Sequence, residues 1–119
     1  MHTPDSPDAL QVVCLCAAWC GSCRDYRATF DSVAAAFPDA RFDWVDIEDE
    51  ADLVDPVEVE NFPTVLIAAG SRPVFFGTVL PHRDTLMRLV RTHADAAGGA
   101  PVASPEVAAL VTRLQARGA

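Results

Sequence analysis

The spacing of apolar residues along the chain predicts strands and helices in alternation. A mostly apolar stretch over 10–16 is typical of a buried strand, and apolar residues recur at helical spacing over 21–36. Further strands are predicted over 41–47, 64–68 and 73–76. A short acidic helix near 49–55, a helix with Pro81 in its first turn and a last helix from Ser104 complete the pattern. This order of elements indicates an α/β fold.

One domain accounts for the chain, which has 119 residues and is half hydrophobic. Ser104-Pro105-Glu106 is typical of a helix start, and the glycines at 98 and 99 end the helix before it. The expected parts of the domain are a flexible tail over 1–9, a core over 10–97, a linker over 98–103 and an additional helix over 104–117.

Charge and hydropathy argue against two classes of partner. No apolar run approaches the ~20 residues that cross a membrane, so we expect no membrane partner. The formal net charge of -8 would repel phosphate groups, so we expect no nucleic-acid partner. The first eight residues are polar and acidic and lack a secretory pattern, from which we expect a cytoplasmic protein.

The candidate chemistry lies between the first predicted strand and the first predicted helix. Cys20 and Cys23 form a C-x-x-C motif there, and all four cysteines lie between Cys14 and Cys23. Such crowding does not staple distant parts of a fold, so a local site is favoured over a disulfide framework. At a helix start, unpaired N–H groups and the helix dipole favour the thiolate of Cys20, which is the nucleophilic form. The alternatives are a pair that merely packs, or half of a zinc site.

Two segments together resemble the thioredoxin family. One is Trp19-Cys20-Gly21-Ser22-Cys23 after the first strand, and the other is Phe62-Pro63-Thr64 at the opening of the third. The resemblance covers roughly residues 10 to 97. It implies a thioredoxin-like fold and a cis Phe62–Pro63 peptide bond facing the active-site disulfide. It also implies that the backbone at Phe62 helps to bind an extended substrate chain.

The chain departs from the family pattern at both ends. Only nine residues precede Leu10, too few for the strand and helix that thioredoxins have ahead of the active-site strand. We therefore expect a fold lacking that leading strand and helix, with a four-stranded mixed sheet flanked by helices. The additional C-terminal helix is expected to cover the sheet surface left open, as a monomer, or to dock on a second subunit, as a homodimer. Its apolar stripe consists of Val107, Leu110, Val111 and Leu114.

By this resemblance the protein is a thiol–disulfide oxidoreductase that acts on protein disulfides or dithiols. Cys20 attacks, Cys23 resolves the mixed disulfide, and a reductase or a small thiol supplies electrons. No organic cofactor and no metal are implied. The expected substrate groove consists of Trp19, Gly21, Ser22, Phe62, Pro63, Thr64 and Gly77.

Cys14 and Cys16 are candidate accessory thiols, and their alternation along a strand points both side chains to one face. By the resemblance, Cys14 stands where the family usually has a buried aspartate that helps to deprotonate the resolving cysteine. Trp44 stands where a lysine often accompanies that aspartate. Cys23 must then lose its proton to water or to Cys14. We expect a slow reductase, because general acid–base help is typically worth ~10²–10⁴-fold.

Three interpretations of Cys14 and Cys16 stay open. We favour small buried hydrophobes, because free cysteine is often fully buried. The second makes Cys14 a third redox thiol that exchanges with Cys23, and the third makes all four cysteines a metal-thiolate cluster. Beside the enzyme, the alternative functions are therefore a thioredoxin-like binding or adaptor module with little turnover, and a metal-thiolate protein.

Overall fold

The described part of the chain forms four strands and four helices. A computed structural model describes residues 10–17, 21–55, 57, 59, 61–70, 72–95 and 102–117. The strands are β1 (Leu10–Cys16), β2 (Arg41–Asp46), β3 (Thr64–Ala69) and β4 (Arg72–Thr78). The helices are α1 (Gly21–Ala36), α2 (Ala51–Val54), α3 (Arg83–Asp95) and α4 (Pro105–Arg117).

Helix α3 begins later than the sequence pattern predicts. Pro81 precedes the helix and is not part of its first turn. The backbone N–H of His82 donates to the carbonyl of Leu80 at 2.8 Å, and the carbonyl of His82 accepts from Leu86 at 3.2 Å. The chain therefore turns at Pro81, and the helical hydrogen bonds start one residue later.

The strands form one mixed sheet in the order β2-β1-β3-β4. Strand β1 pairs with β2 in parallel and with β3 antiparallel, and β3 pairs antiparallel with β4. The predicted four-stranded mixed sheet is therefore confirmed. Since β1 has a strand on each side and is buried throughout, its sequence is apolar apart from Gln11 and does not alternate between apolar and polar residues.

Each face of the sheet carries its own core. Val12, Cys14 and Cys16 of β1 point to one face, where α1 and α3 pack through buried side chains such as Phe30 and Leu86. We call this the cysteine face. The residues of β1 between them, Val13 and Leu15, point to the opposite face with Val45, Leu66 and the apolar side of α4. We call this the α4 face.

Helix α4 packs on the sheet of its own chain. The backbone N–H of Val107 donates to the Ser104 hydroxyl at 3.3 Å, so Ser104 caps the helix as its sequence predicts. The apolar stripe is buried on the α4 face and consists of Val107, Leu110, Val111 and Leu114. The homodimer alternative required this stripe to be exposed for a second subunit, and in the structure it is buried within its own chain.

Polar contacts also hold α4 in place. The Arg113 guanidinium donates to the carbonyls of Leu53 at 2.7 Å and Asp55 at 3.0 Å, both at the end of α2. The Gln115 side-chain amide donates to the carbonyl of Gly70, in the turn between β3 and β4, at 2.6 Å. Within the described residues, no helix is long and apolar enough to cross a membrane.

Candidate redox site

Helix α1 brings Cys23 to the end of strand β1. Cys23 lies in the first turn of α1 and is 1% exposed. Gly21 opens the helix and is exposed. Cys20 and Trp19 lie outside the described residues, as does the side chain of Ser22, so the predicted attacking thiol stays a prediction.

The sulfur of Cys23 is bonded to Cys16. The two Sγ atoms are 2.07 Å apart and the two Cα atoms 5.8 Å apart. Cys16 is the last residue of β1 and is 1% exposed. The disulfide therefore joins the carboxyl end of the central strand to the first turn of the following helix, within the buried core of the cysteine face.

Backbone hydrogen bonds hold both ends of this disulfide. The Cys16 carbonyl accepts from the backbone N–H of Ile47 at 2.9 Å, just beyond β2. The backbone N–H of Ala17 lies 3.4 Å from the Cys23 sulfur and donates to it. Because Cys16 forms a disulfide and Cys14 is free, the favoured interpretation of these residues as small buried hydrophobes describes Cys14 but not Cys16.

Cys14 is a free thiol at the centre of the cysteine face. Burial raises its pKa to about 12, and the opposing effect of the Arg27 charge is smaller. A thiol with this pKa keeps its proton at neutral pH and accepts none. Of the two proton acceptors expected for Cys23, the raised pKa of Cys14 therefore favours water.

Trp44 pairs with Cys14 across the parallel ladder between β1 and β2. Its ring meets Phe30 edge to face at a centroid distance of 5.6 Å, and the Arg27 guanidinium lies 5.0 Å above it. The position of the expected lysine thus holds an aromatic ring. The nearby positive charge comes instead from α1, where the sequence analysis did not look for it.

Tyr26 is the polar group of the cysteine face that the sequence analysis missed. Its hydroxyl is buried and has no hydrogen-bond partner among the described residues. Burial foremost, and then the nearby Cys14, raise the pKa of the phenol, which therefore stays neutral.

The segment Phe62-Pro63-Thr64 lies beside the disulfide. The Phe62–Pro63 peptide bond is cis. Thr64 pairs with Leu15, so Pro63, one residue earlier, lies next to the strand end that carries Cys16. Phe62 packs against the core cluster that includes Cys16 and Cys23. The structure therefore brings Cys23, from the first segment that carried the family resemblance, next to the second segment, Phe62-Pro63-Thr64.

Two hydrogen bonds fix the ends of this segment. The Thr64 hydroxyl donates to the Asn61 carbonyl at 2.6 Å, and the Pro63 carbonyl accepts from the backbone N–H of Val79 at 3.0 Å.

Gly77, a predicted residue of the substrate groove, lies inside β4 and pairs with Val65, so it is not a turn glycine. A Cβ at Gly77 would meet only the Phe75 ring, at 3.5 Å, which is ordinary contact.

A thioredoxin family model matches residues 5–91 of the chain. The chain belongs to the thioredoxin family. Thioredoxin H2-2 of Oryza sativa subsp. japonica is 32% identical over 69 residues, which make up 58% of this chain and 52% of that protein. Thioredoxin-2 of Saccharomyces cerevisiae is also 32% identical over 69 residues, 58% of this chain and 66% of that protein. The match thus spans only half to two thirds of these relatives.

Solved structures agree on the thioredoxin fold. The thioredoxin of Fasciola hepatica superposes with a TM-score of 0.66 at 23% identity, over 72% of this chain and 82% of that one. At this identity the likeness speaks for the fold alone.

Metal binding finds no support in the part of the chain that the structure describes. Among those residues, no three or more histidine, cysteine, aspartate or glutamate side chains are grouped so as to hold a metal ion. Two of the four cysteines are moreover joined as a disulfide, which leaves neither as a thiolate ligand.

Proposed function

We propose that the chain is a thiol–disulfide oxidoreductase for protein substrates, with Cys20 as the attacking thiol and Cys23 as the resolving thiol. The observation that carries the proposal is the position of the Cys23 sulfur. This sulfur lies in the first turn of α1 and forms a disulfide with Cys16. Phe62, next to the cis Pro63, packs against the core cluster that contains Cys23. Family membership supports the same reaction.

The proposed reaction consists of two exchanges. The Cys20 thiolate attacks a substrate disulfide, forms a mixed disulfide and releases one substrate thiolate. Cys23 then loses its proton to water, attacks the sulfur of Cys20 and releases the second substrate thiolate. The product is a Cys20–Cys23 disulfide, which a reductase or a small thiol returns to two thiols. A reducing compartment such as the cytoplasm provides such electron donors.

Substrate binding is proposed for the surface next to Pro63. The backbone at Phe62 would pair with an extended substrate segment, with Thr64, Gly77 and the predicted groove residues Trp19, Gly21 and Ser22 around it. The proposed reductase is slow, because Cys14 offers no proton acceptor to Cys23 and the second exchange depends on water.

Reduction of insulin disulfides, with dithiothreitol as the electron donor, tests the proposal. We expect turnover by the wild type and its loss in Cys20→Ser. Cys23→Ser, reduced and then mixed with insulin in the absence of dithiothreitol, is expected to accumulate a mixed disulfide with insulin. Cys14→Ser is the matched control, since Cys14 is buried and keeps its proton, and it should retain the wild-type rate. A Cys20→Ser variant as fast as the wild type would refute the assignment.

The second candidate function is a binding or adaptor module. It is favoured by one observation, the protonated thiol of Cys14 in place of a proton-handling acid. In that case the wild type adds nothing to the rate of dithiothreitol alone, and Cys20 reacts with iodoacetamide no faster than an ordinary exposed thiol.

A further inference from the structure

Two cysteines are candidates for a disulfide with Cys23, namely Cys20 of the C-x-x-C motif and Cys16 of strand β1. The structure pairs Cys23 with Cys16. Cys16 does not depend on a loop for its position, because β1 is paired on both sides and its last carbonyl is held by Ile47. Strand and helix thus present the two sulfurs to each other directly.

We propose that Cys16 is a third redox residue, which competes with Cys20 for the sulfur of Cys23. The fully oxidised chain then carries the Cys16–Cys23 disulfide and keeps Cys20 reduced. This inference rests on the proposed function for the role of Cys20. The pairing of Cys16 with Cys23 itself rests on the structure.

The exchange balances without any added oxidant. The Cys20–Cys23 disulfide, formed at the end of substrate reduction, is attacked at the Cys23 sulfur by the thiolate of Cys16. The bond between Cys16 and Cys23 forms, the bond between Cys20 and Cys23 breaks, and Cys20 leaves as a thiolate. One proton passes from the thiol of Cys16 to water. The chain is neither oxidised nor reduced overall.

The surroundings of the sulfurs favour this direction. Cys20 immediately precedes α1, where the helix dipole lowers a thiol pKa, and a thiol of low pKa is the better leaving group. Cys16 and Cys23 are each 1% exposed among apolar side chains, so their disulfide is shielded from external thiols. The exchange starts from the Cys20–Cys23 disulfide, which forms only when a substrate has been reduced, so it follows substrate reduction and does not pre-empt it.

The consequence is a second use of the oxidised protein. With Cys23 occupied by Cys16, the thiolate of Cys20 still attacks a substrate disulfide, but no resolving thiol releases the product. The oxidised chain therefore holds its substrate as a mixed disulfide, whereas the reduced chain turns it over.

The sequence permits a direct test by peptide mapping. The first arginine is Arg24 and the chain has no lysine, so trypsin leaves all four cysteines in one peptide. Chymotrypsin cleaves after Trp19 and Tyr26, which separates Cys14 and Cys16 from Cys20 and Cys23. A Cys20–Cys23 disulfide then lies within the peptide 20–26. A Cys16–Cys23 disulfide links that peptide to the one that ends at Trp19.

The full chain is oxidised with oxidised glutathione, quenched in acid, alkylated in denaturant and digested with chymotrypsin for mass spectrometry. We expect the linked peptides in the wild type and in Cys20→Ser. In Cys16→Ser the link is lost and the disulfide moves inside the peptide 20–26. Cys14→Ser, which alters a buried cysteine two residues away on the same face, retains the link. The wild-type result does not depend on any variant folding.

Two outcomes overturn the inference. One is a wild type whose only disulfide lies within the peptide 20–26. The other is a link that persists in Cys16→Ser and disappears in Cys14→Ser, which would make Cys14 the partner. Insulin reduction by the same wild-type sample reports on the proposed function separately. Turnover without the link refutes the role of Cys16 alone, and a link without turnover refutes the proposed enzyme while the Cys16–Cys23 pair stands.

Discussion

The two faces of the sheet are built from the same central strand and serve different ends. The α4 face is closed by aliphatic side chains, with Leu110 and Val111 of α4 fully buried against Leu15 and Leu66. The cysteine face holds a disulfide, a free thiol and a phenol without a hydrogen-bond partner among the described residues. Both faces bury a hydrophobic core, and the disulfide, the free thiol and the phenol all lie on the cysteine face.

Removing α4 is expected to have the largest effect on this division. Deletion of residues 101–119 exposes the aliphatic side of the sheet, and each buried side chain lost from the stripe is worth ~1.5–3 kcal/mol. The total is comparable with the whole free energy of unfolding of a small domain, ~5–15 kcal/mol. We expect loss of the cooperative urea transition and binding of a hydrophobic dye.

The matched control for this deletion is Thr112→Ala, on the exposed side of the same helix. It should leave the urea midpoint nearly unchanged. If the truncated protein unfolds as cooperatively as the full chain, the α4 face does not carry the stability assigned to it.

A carboxylate on the cysteine face is expected to have the next largest effect. Cys14→Asp places a proton acceptor beneath the site, where the present thiol holds its proton. We expect insulin reduction to accelerate by up to ~10²-fold, the lower end of what general acid–base catalysis supplies. Cys14→Asn has nearly the same shape without the acid and should show no acceleration. Equal rates in the two variants would mean that proton removal from Cys23 does not limit turnover.

The smallest effect is expected at alkaline pH and tests the burial of Cys14. Its pKa in the folded chain is about 12, whereas in the unfolded chain the thiol ionises near its ordinary value of 9.0. Above pH 9 the unfolded state therefore releases the proton first, and stability falls as the pH rises. The slope approaches ~1.4 kcal/mol per pH unit, and the contribution is fully present below pH 9.

Urea unfolding of the wild type and Cys14→Ala between pH 8 and 10.5 measures this contribution. The gap between the two proteins should be constant up to pH 9 and then change in favour of the variant. A gap that stays constant over the whole range would show that Cys14 ionises as an exposed thiol does.

Much of the fold follows from local patterns in the sequence. The apolar run of β1 and the stripe of α4 predicted a strand buried on both faces and a helix covering one of them. Both depend on side-chain periodicity, which is visible within a few residues. The start of α3 was predicted too early because proline is common both in the first turn of a helix and in the turn that precedes it.

The sequence predicted which residues form the site, but not which cysteines pair with each other. Alternation along β1 showed that Cys14 and Cys16 share a face, but not that the strand end lies 5.8 Å, between Cα atoms, from the first turn of α1. Disulfide connectivity depends on such distances, which arise from the packing of helix on sheet. The raised pKa of Cys14 depends in the same way on burial, and no local pattern reports it.

The register of β1 also makes this chain unusually sensitive to a change in length. Insertion of one residue between Val13 and Cys14, inside the paired part of the strand, would turn Cys14, Leu15 and Cys16 to the other side of the sheet. Leu15 would then face the start of α1, and the cysteines would lie under α4, away from Cys23. Such an insertion keeps every residue of the motif and abolishes the chemistry, so a homologous sequence is informative about this site only when its strand is aligned without gaps.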